Sequence, residues 1–318
     1  MRNIGFVVSG KENERRRAIL PRDLRQVQHP EALVIEQGYG RPLGIADDQY
    51  VEAGCQVAER GRVYECDIIC NPKAPEPQER ELFGEGQILF GWLHAVQGRA
   101  IVDFLLDRGM TGIAWEDMYE GGRHCFWRNN ELAGSAAVYH ALGYLGRVPA
   151  GLRAALIGTG NCGRGALAQL ARLGVEVITY DRNSVGRLPD ELANYDLVVN
   201  AVLWDVFRTD HLIRREDLHS MSPDSMIIDI SCDEGMGIES TRATTIQDPV
   251  YVSDGVLHYA VDHTPAIFYR TASESISEVV ARYLDELVVG NPGPTLRAAT
   301  AIESGQIRDQ RISRFQSR

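Results

Sequence analysis

The plainest chemistry in this sequence lies in Ala154-Ala155-Leu156-Ile157-Gly158-Thr159-Gly160-Asn161-Cys162-Gly163-Arg164-Gly165, a glycine-rich turn after an apolar run. Gly158 permits a tight turn, Gly160 lets backbone approach a pyrophosphate, and Gly163 lets a following helix pack closely on its strand. A helix that starts at Asn161 points its amide groups at the phosphates. The next apolar run ends in Asp181, suited to a ribose 2′-hydroxyl and so to NAD, but Arg182 beside it suits the 2′-phosphate of NADP. The later pair Asn200-Ala201 falls where backbone passes beneath the nicotinamide half of such a cofactor, or is a plain buried strand end.

Polar residues also follow apolar runs in the first hundred positions. They are the charged segment Lys11–Pro21 with Arg15, Arg16 and Arg17 in succession, Lys73 in Asn71-Pro72-Lys73-Ala74-Pro75, and His94 in Phe90-Gly91-Trp92-Leu93-His94-Ala95. The carboxyl ends of parallel strands are where open α/β sheets place ligands. Of 33 basic residues, 31 are Arg and two are Lys, namely Lys11 and Lys73. Codon usage explains such a skew globally. Guanidinium stays protonated, whereas an amine shuttles protons, so a retained lysine marks a position that arginine serves poorly.

The elements that must carry these groups alternate as βα units do. Strands are predicted at Ile4–Val8, Ala32–Glu36, Asp67–Cys70, Ile88–Trp92 and Gly112–Trp115, with a helix at Arg99–Arg108. A linking helix is predicted at Asn130–Leu145. A second series follows, with strands at Arg153–Ile157, Val175–Tyr180, Leu197–Asn200 and Met226–Ile230. Helix periodicity over Ser273–Val289 suggests a return to the first lobe, and the polar tail from Pro292 reads as surface. The expected fold is α/β: two Rossmann-like lobes with parallel sheets and a cleft that closes on substrate. Residues 1–130, completed by 270–318, would form the substrate lobe, and 131–269 the NAD(P)-binding lobe.

A net charge of −11 disfavours a nucleic-acid footprint or an anionic membrane as partner. No apolar stretch approaches a membrane helix, and six cysteines without a CxxC pair read as reduced thiols. The expected location is cytoplasmic. The histidines lack zinc spacing, so no metal is expected, and GxSxG is absent.

Together with Gln87-Ile88-Leu89-Phe90 and Ile227-Ile228-Asp229-Ile230-Ser231-Cys232-Asp233, these motifs resemble the alanine dehydrogenase, transhydrogenase and saccharopine dehydrogenase superfamily. The resemblance covers nearly the whole chain. Trp115-Glu116-Asp117-Met118, Phe126–Gly134 and Tyr259-Ala260-Val261-Asp262-His263-Thr264-Pro265 are most similar to the opine-forming N5-(carboxyethyl)ornithine synthases. Alanine dehydrogenases carry uncharged residues where Asp262 and His263 stand. The resemblance implies Arg16 as the substrate-carboxylate arginine, Lys73 and His94 as the acid/base pair, and Asp233 near the reacting centre. It also implies a homo-oligomeric oxidoreductase.

The implied reaction joins an amine to a 2-oxo acid such as pyruvate and reduces the resulting imine with hydride from NADPH or NADH. Arg16 would hold the oxo-acid carboxylate at two points. Two groups titrating near neutrality would move the protons, and acids among Glu116, Asp117, Asp233 and Asp262 would hold the charged ends of a diamino acid. His263 would orient Asp262 or cap a turn. The alternatives are alanine-dehydrogenase-like amination with ammonia, a saccharopine-dehydrogenase-like activity, and a non-catalytic NAD(P)-binding protein.

Overall fold

The computed structural model describes residues 1–318, which divide into two compact units. One comprises Met1–Phe126 and Tyr269–Arg318, the other Trp127–Phe268. The divisions fall slightly before residues 130 and 270, because the helix Trp127–Leu142 belongs wholly to the second unit and the helix that begins at Tyr269 wholly to the first.

In the first unit, strands β1 (Ile4–Phe6), β2 (Leu33–Glu36), β3 (Gln56–Ala58), β4 (Ile68–Asn71), β5 (Ile88–Gly91) and β6 (Thr111–Ala114) run parallel in the order β6-β5-β4-β1-β2-β3. Successive side chains leave a strand on opposite faces, so Ile68 and Cys70 enter one apolar layer and Ile69 enters the other. The first layer is closed by Ile276, Val280, Leu284 and Leu287. Helix α1 (Arg99–Asp107) covers the second through Val102 and Leu105. A two-stranded ribbon follows, β7 (Tyr119–Glu120) with β8 (Arg123–His124). The edge strand β3 escapes sequence reading because its residues are exposed or only half-buried.

The second unit opens with α2 (Trp127–Leu142) and the sheet strands β9 (Arg153–Ile157), β10 (Glu176–Tyr180), β11 (Leu197–Asn200), β12 (Met226–Asp229), β13 (Val250–Ser253) and β14 (Val256–Tyr259). Their order is β10-β9-β11-β12-β14-β13. The chain passes from β9 to β10 on one side and resumes with β11 on the other. This reversal makes the carboxyl ends of β9 and β11 the ligand-binding crevice of such a sheet. Helix α3 (Asn161–Arg172) follows β9. The β13–β14 hairpin is antiparallel, turned by Asp254 and Gly255 at φ 51° and 84°.

The return to the first unit departs from expectation twice. The helix predicted at Ser273–Val289 is two helices, α4 (Tyr269–Ala281) and α5 (Leu284–Val289). The tail from Pro292 is not simply surface. It forms α6 (Pro294–Ala298), then β15 (Thr300–Glu303), which pairs antiparallel with β6, then β16 (Gln306–Ile307) and α7 (Gln310–Gln316). Ala301, Ile302 and Ile312 are buried there. A few apolar anchors among polar residues suffice for short strands at the margin of a sheet but leave no periodicity to read.

Candidate active site

The three glycines of the turn after β9 differ in what their neighbours allow. Gly158 has φ +88°, a conformation that L side chains rarely adopt. A Cβ on Gly163 would lie 2.1 Å from the Gly158 carbonyl oxygen. Gly160, the N-cap of α3, has φ −66° and ψ −163°, and a Cβ there would meet nothing within 4 Å. Neither backbone nor packing asks for glycine at 160. The open space lies at a helix N-terminus, where a dinucleotide pyrophosphate fits. Asn161 opens α3, and its side-chain oxygen accepts from Arg164 at 2.7 Å.

Helix α2 holds the start of α3 in place. A Cβ on Gly134 would come within 1.9 Å of the Cys162 carbonyl oxygen, and one on Gly165 within 1.8 Å of the Glu131 carbonyl oxygen. The helices therefore meet backbone to backbone. Burial pushes the Cys162 thiol up to about 11, so it is no thiolate nucleophile at neutral pH.

Asp181, just past β10, turns Oδ1 into its own loop, where it accepts from the Ser184 hydroxyl at 2.7 Å and the Asn183 and Ser184 amides at 3.0 Å. These bonds lower its pKa. Arg182 beside it is exposed. At the end of β11, the Asn200 side chain is buried and its amide donates to Asp229 Oδ1 at 2.9 Å. Ala201 lies against the turn, its carbonyl oxygen 3.1 Å from where a Gly158 Cβ would sit.

Asp229, quoted in a motif but given no role by the sequence, is the hub of this edge. Its Oδ1 also accepts from the Ser231 and Cys232 amides at 3.1 and 3.3 Å, and Oδ2 accepts from the Thr241 hydroxyl at 2.6 Å. Burial raises its pKa to about 6, against the lowering effect of the Thr241 and Asn200 bonds. The half-buried Asp233 follows on the loop so anchored, after Cys232 in the left-handed region at φ 56°. The signal for Asp229 in the sequence was an acid closing the apolar run Met226-Ile227-Ile228. Further on, buried His263 meets the carboxylate of Asp262 through Nδ1 at 2.6 Å, while the Asp262 side chain is 32% exposed. The pair thus leaves an oriented carboxylate partly open.

In the first unit the three arginines diverge. Arg15 is exposed over the Tyr269 ring, and Arg17 is a buried strut that donates to the Tyr39 and Arg16 carbonyls. The Arg16 guanidinium is buried, paired to Glu14 through Nε at 2.9 Å and Nη2 at 2.5 Å, and lies over the Trp92 ring at 5.1 Å. Glu14 thereby orients the fork, a role the sequence did not suggest.

Lys73 and His94 follow adjacent strands, β4 and β5, whose ends pair Asn71 with Gly91. Lys73 is half-buried, and its amide donates to the Asn71 side-chain oxygen at 3.2 Å. His94 is exposed and left-handed at φ 49°. That conformation is uncommon outside glycine and is gripped by Glu116, whose Oε1 accepts from the His94 amide at 2.5 Å and Oε2 from the Leu93 amide at 3.1 Å. Glu116 was expected to hold substrate, but here its carboxylate holds the turn that carries His94. Burial pushes this carboxyl up to about 7. Asp117 pairs with Arg311 at 2.7 Å.

A sheet with its topological reversal behind a glycine-rich turn, in a chain that also carries a lysine and a histidine just past two adjacent strands, is the plan of an α/β oxidoreductase. Comparison with known proteins narrows this. The N-terminal domain model of alanine dehydrogenase/PNT matches residues 9–125 and the C-terminal domain model residues 184–310. The chain is 32% identical over 300 residues to N(5)-(carboxyethyl)ornithine synthase of Clostridium botulinum (strain Hall), covering 88% of this chain and 93% of that one. It is 28% identical over 341 residues to an alanine dehydrogenase of Bacillus subtilis (strain 168), covering 95% and 90%. Among solved structures it matches an L-alanine dehydrogenase with TM-score 0.82 at 23% identity, covering 99% of both chains. A transhydrogenase from Sinorhizobium meliloti matches with TM-score 0.79 at 20% identity, covering 96% of this chain and 99% of that one. The chain belongs to the alanine dehydrogenase/PNT family, and it is an enzyme of the oxidoreductase class. No helix is long and apolar enough to cross a membrane.

Proposed function

We propose that this enzyme catalyses the NAD(P)H-dependent reductive condensation of a 2-oxo acid such as pyruvate with the side-chain amine of ornithine or lysine, giving an N-(carboxyethyl) amino acid. The observation that carries this reading is the Asp262–His263 pair. A partly open carboxylate, oriented by a buried imidazole, suits the ammonium end of a diamino acid. Reductive amination with ammonia has no such group to hold.

The cofactor supplies hydride. Gly158, Gly160, Asn161 and Gly163 would hold its pyrophosphate, with Asn200 and Ala201 beneath the nicotinamide half. Arg16 holds the oxo-acid carboxylate. Glu14 grips the guanidinium through Nε and Nη2 and so fixes the plane of the fork. One proton leaves the substrate ammonium and one reaches the departing hydroxyl as the carbinolamine loses water, which is the work of Lys73 and His94. Asp233 stands by the reacting centre and Asp262 holds the far ammonium. The inward turn of Asp181 and the exposed guanidinium of Arg182 support acceptance of a 2′-phosphate, hence NADPH as well as NADH. A homo-oligomer belongs to the same reading and is checked by light scattering.

The test follows reduced-cofactor oxidation with pyruvate plus ornithine, lysine or ammonium, with products identified by mass spectrometry. Secondary-amine product from a diamino acid is expected. Turnover with ammonium alone would favour an alanine-dehydrogenase-like activity. No turnover with any amine, in protein that binds cofactor, would refute both.

A further inference from the structure

Outside the groups assigned above, the first unit contains a knot of three charged side chains at the carboxyl edge of its sheet. Glu36, the last residue of β2, and Glu79 are both buried, at 8% and 3% exposure. Arg60 bridges them. Its Nη1 reaches both Glu36 oxygens at 3.1 Å and its Nη2 reaches Glu79 Oε1 at 2.6 Å.

Each member also grips backbone of a loop that carries a lysine. Beyond β1, the Val8 amide donates to Glu36 Oε2 at 2.7 Å, the Val8 carbonyl accepts from Arg60 at 2.8 Å, and the Gly10 amide donates to Glu79 Oε1 at 2.9 Å. Beyond β4, the Glu76 amide donates to Glu79 Oε2 at 2.9 Å. Lys11 follows Gly10 directly, and Lys73 stands three residues before Glu76. Gly10 fits this contact tightly, for a Cβ there would lie 2.9 Å from the Glu79 carboxyl carbon.

A guanidinium with several donors in a rigid fork can serve two carboxylates and a carbonyl at once, which a lysine ammonium serves poorly. If Arg60 is lost, two buried carboxylates face each other without compensation, an arrangement that is strongly unfavourable.

We propose that Glu36, Arg60 and Glu79 are positioning residues, a charged splint that sets the loop of Lys11 and Arg16 against the loop of Lys73. This rests on the proposed roles of Arg16 and Lys73. The splint touches neither substrate nor cofactor and acts through the two loops it ties.

With only two lysines in the chain, protein labelled with [13C]lysine reports each loop by one Cε signal without chemical modification. In Glu79→Gln the side-chain amide must place its NH2 against a backbone or guanidinium donor. In Arg60→Lys the charge stays but the fork is lost. In both variants the signals of Lys11 and Lys73 are expected to shift together. The kcat is expected to fall at least tenfold, with a displaced pH profile, and cofactor affinity to be unchanged. Folded variants whose two lysine signals match the parent would overturn the splint. So would shifted signals with kcat, KM and pH profile unchanged. Should the parent turn over no amine, the proposed reaction fails, while the lysine signals still decide whether the knot couples the two loops.

Discussion

Gly160 and Gly163 lie in one turn yet should fail differently when changed to alanine. In Gly160→Ala the new methyl enters open space, and φ −66° with ψ −163° suits alanine. The unliganded protein should hold its stability or gain about 0.4–1 kcal/mol, because alanine has less freedom to lose on folding. That methyl occupies the room a phosphate would take. A phosphate oxygen sits about 2.9 Å from the amide that donates to it, whereas a methyl needs about 3.5 Å to its neighbours. The phosphate must retreat and lose one or two charge-assisted hydrogen bonds, each about 1.5–3 kcal/mol. A tenfold loss corresponds to about 1.4 kcal/mol, so the cofactor Kd should rise at least tenfold and toward a thousandfold. In Gly163→Ala the Cβ would start 2.1 Å from the Gly158 oxygen. The strand end and α3 must separate by about 1 Å, an overpacking that costs about 1–3 kcal/mol even without ligand. At about 2–4 °C per kcal/mol, Tm should fall by several degrees. The assay is a fluorescence titration with NADH and NADPH beside a thermal melt of each unliganded variant. Equal losses of Tm in the two variants, or parent-like cofactor affinity in Gly160→Ala, would refute the reasoning.

Lys73→Arg keeps the charge but replaces an amine, which can shuttle a proton, with a guanidinium that stays protonated. Its kcat should fall by about 100-fold or more with cofactor binding intact, as read by steady-state kinetics and titration; sustained turnover would count against Lys73 as acid or base. Glu116→Gln turns an NH2 toward one of the two amides that the carboxylate now accepts from. The left-handed turn at His94 should relax, seen as a displaced His94 backbone amide signal, with kcat falling about tenfold; an unmoved signal would contradict the clamp. Asp229 titrates near 6 in the folded chain against 3.8 as an ordinary aspartate. The folded state binds that proton more tightly, so the stabilisation is full below pH 4 and is lost as pH rises through 6. The shift of about 2 units corresponds to about 3 kcal/mol. In Asp229→Asn that dependence should vanish while the Thr241 hydroxyl reverses to accept, so the stability difference from the parent should change between pH 4 and 7 in denaturant titrations. A constant difference would refute the assignment.

Local pattern carried most of the architecture. Most of the parallel strands that lead into candidate residues are short buried runs, the half-buried β10 before Asp181 excepted, and glycines 158, 160 and 163 announce their turn by spacing alone. The edge strand β3 was illegible because it buries no side chain fully, and the four-residue β15 because it pairs with β6 from far away in the chain. Among the arginines, register with relatives pointed to Arg16, and only packing separates an exposed Arg15 and a strut at Arg17 from a buried fork held by Glu14.

What the sequence determined by itself is chemical inventory: a glycine-rich turn between strand and helix, one lysine and one histidine after successive strands, and the adjacent pair Asp262-His263. What the tertiary structure alone decided is which carboxylates support and which face outward. Glu14, Glu36, Glu79, Glu116 and Asp229 look like any other acids in the sequence. Burial leaves a carboxylate no water to bond. Glu14 therefore takes the neighbouring Arg16, while the other four take backbone amides, a guanidinium or a hydroxyl from segments distant in the chain, which assigns them the task of holding a loop.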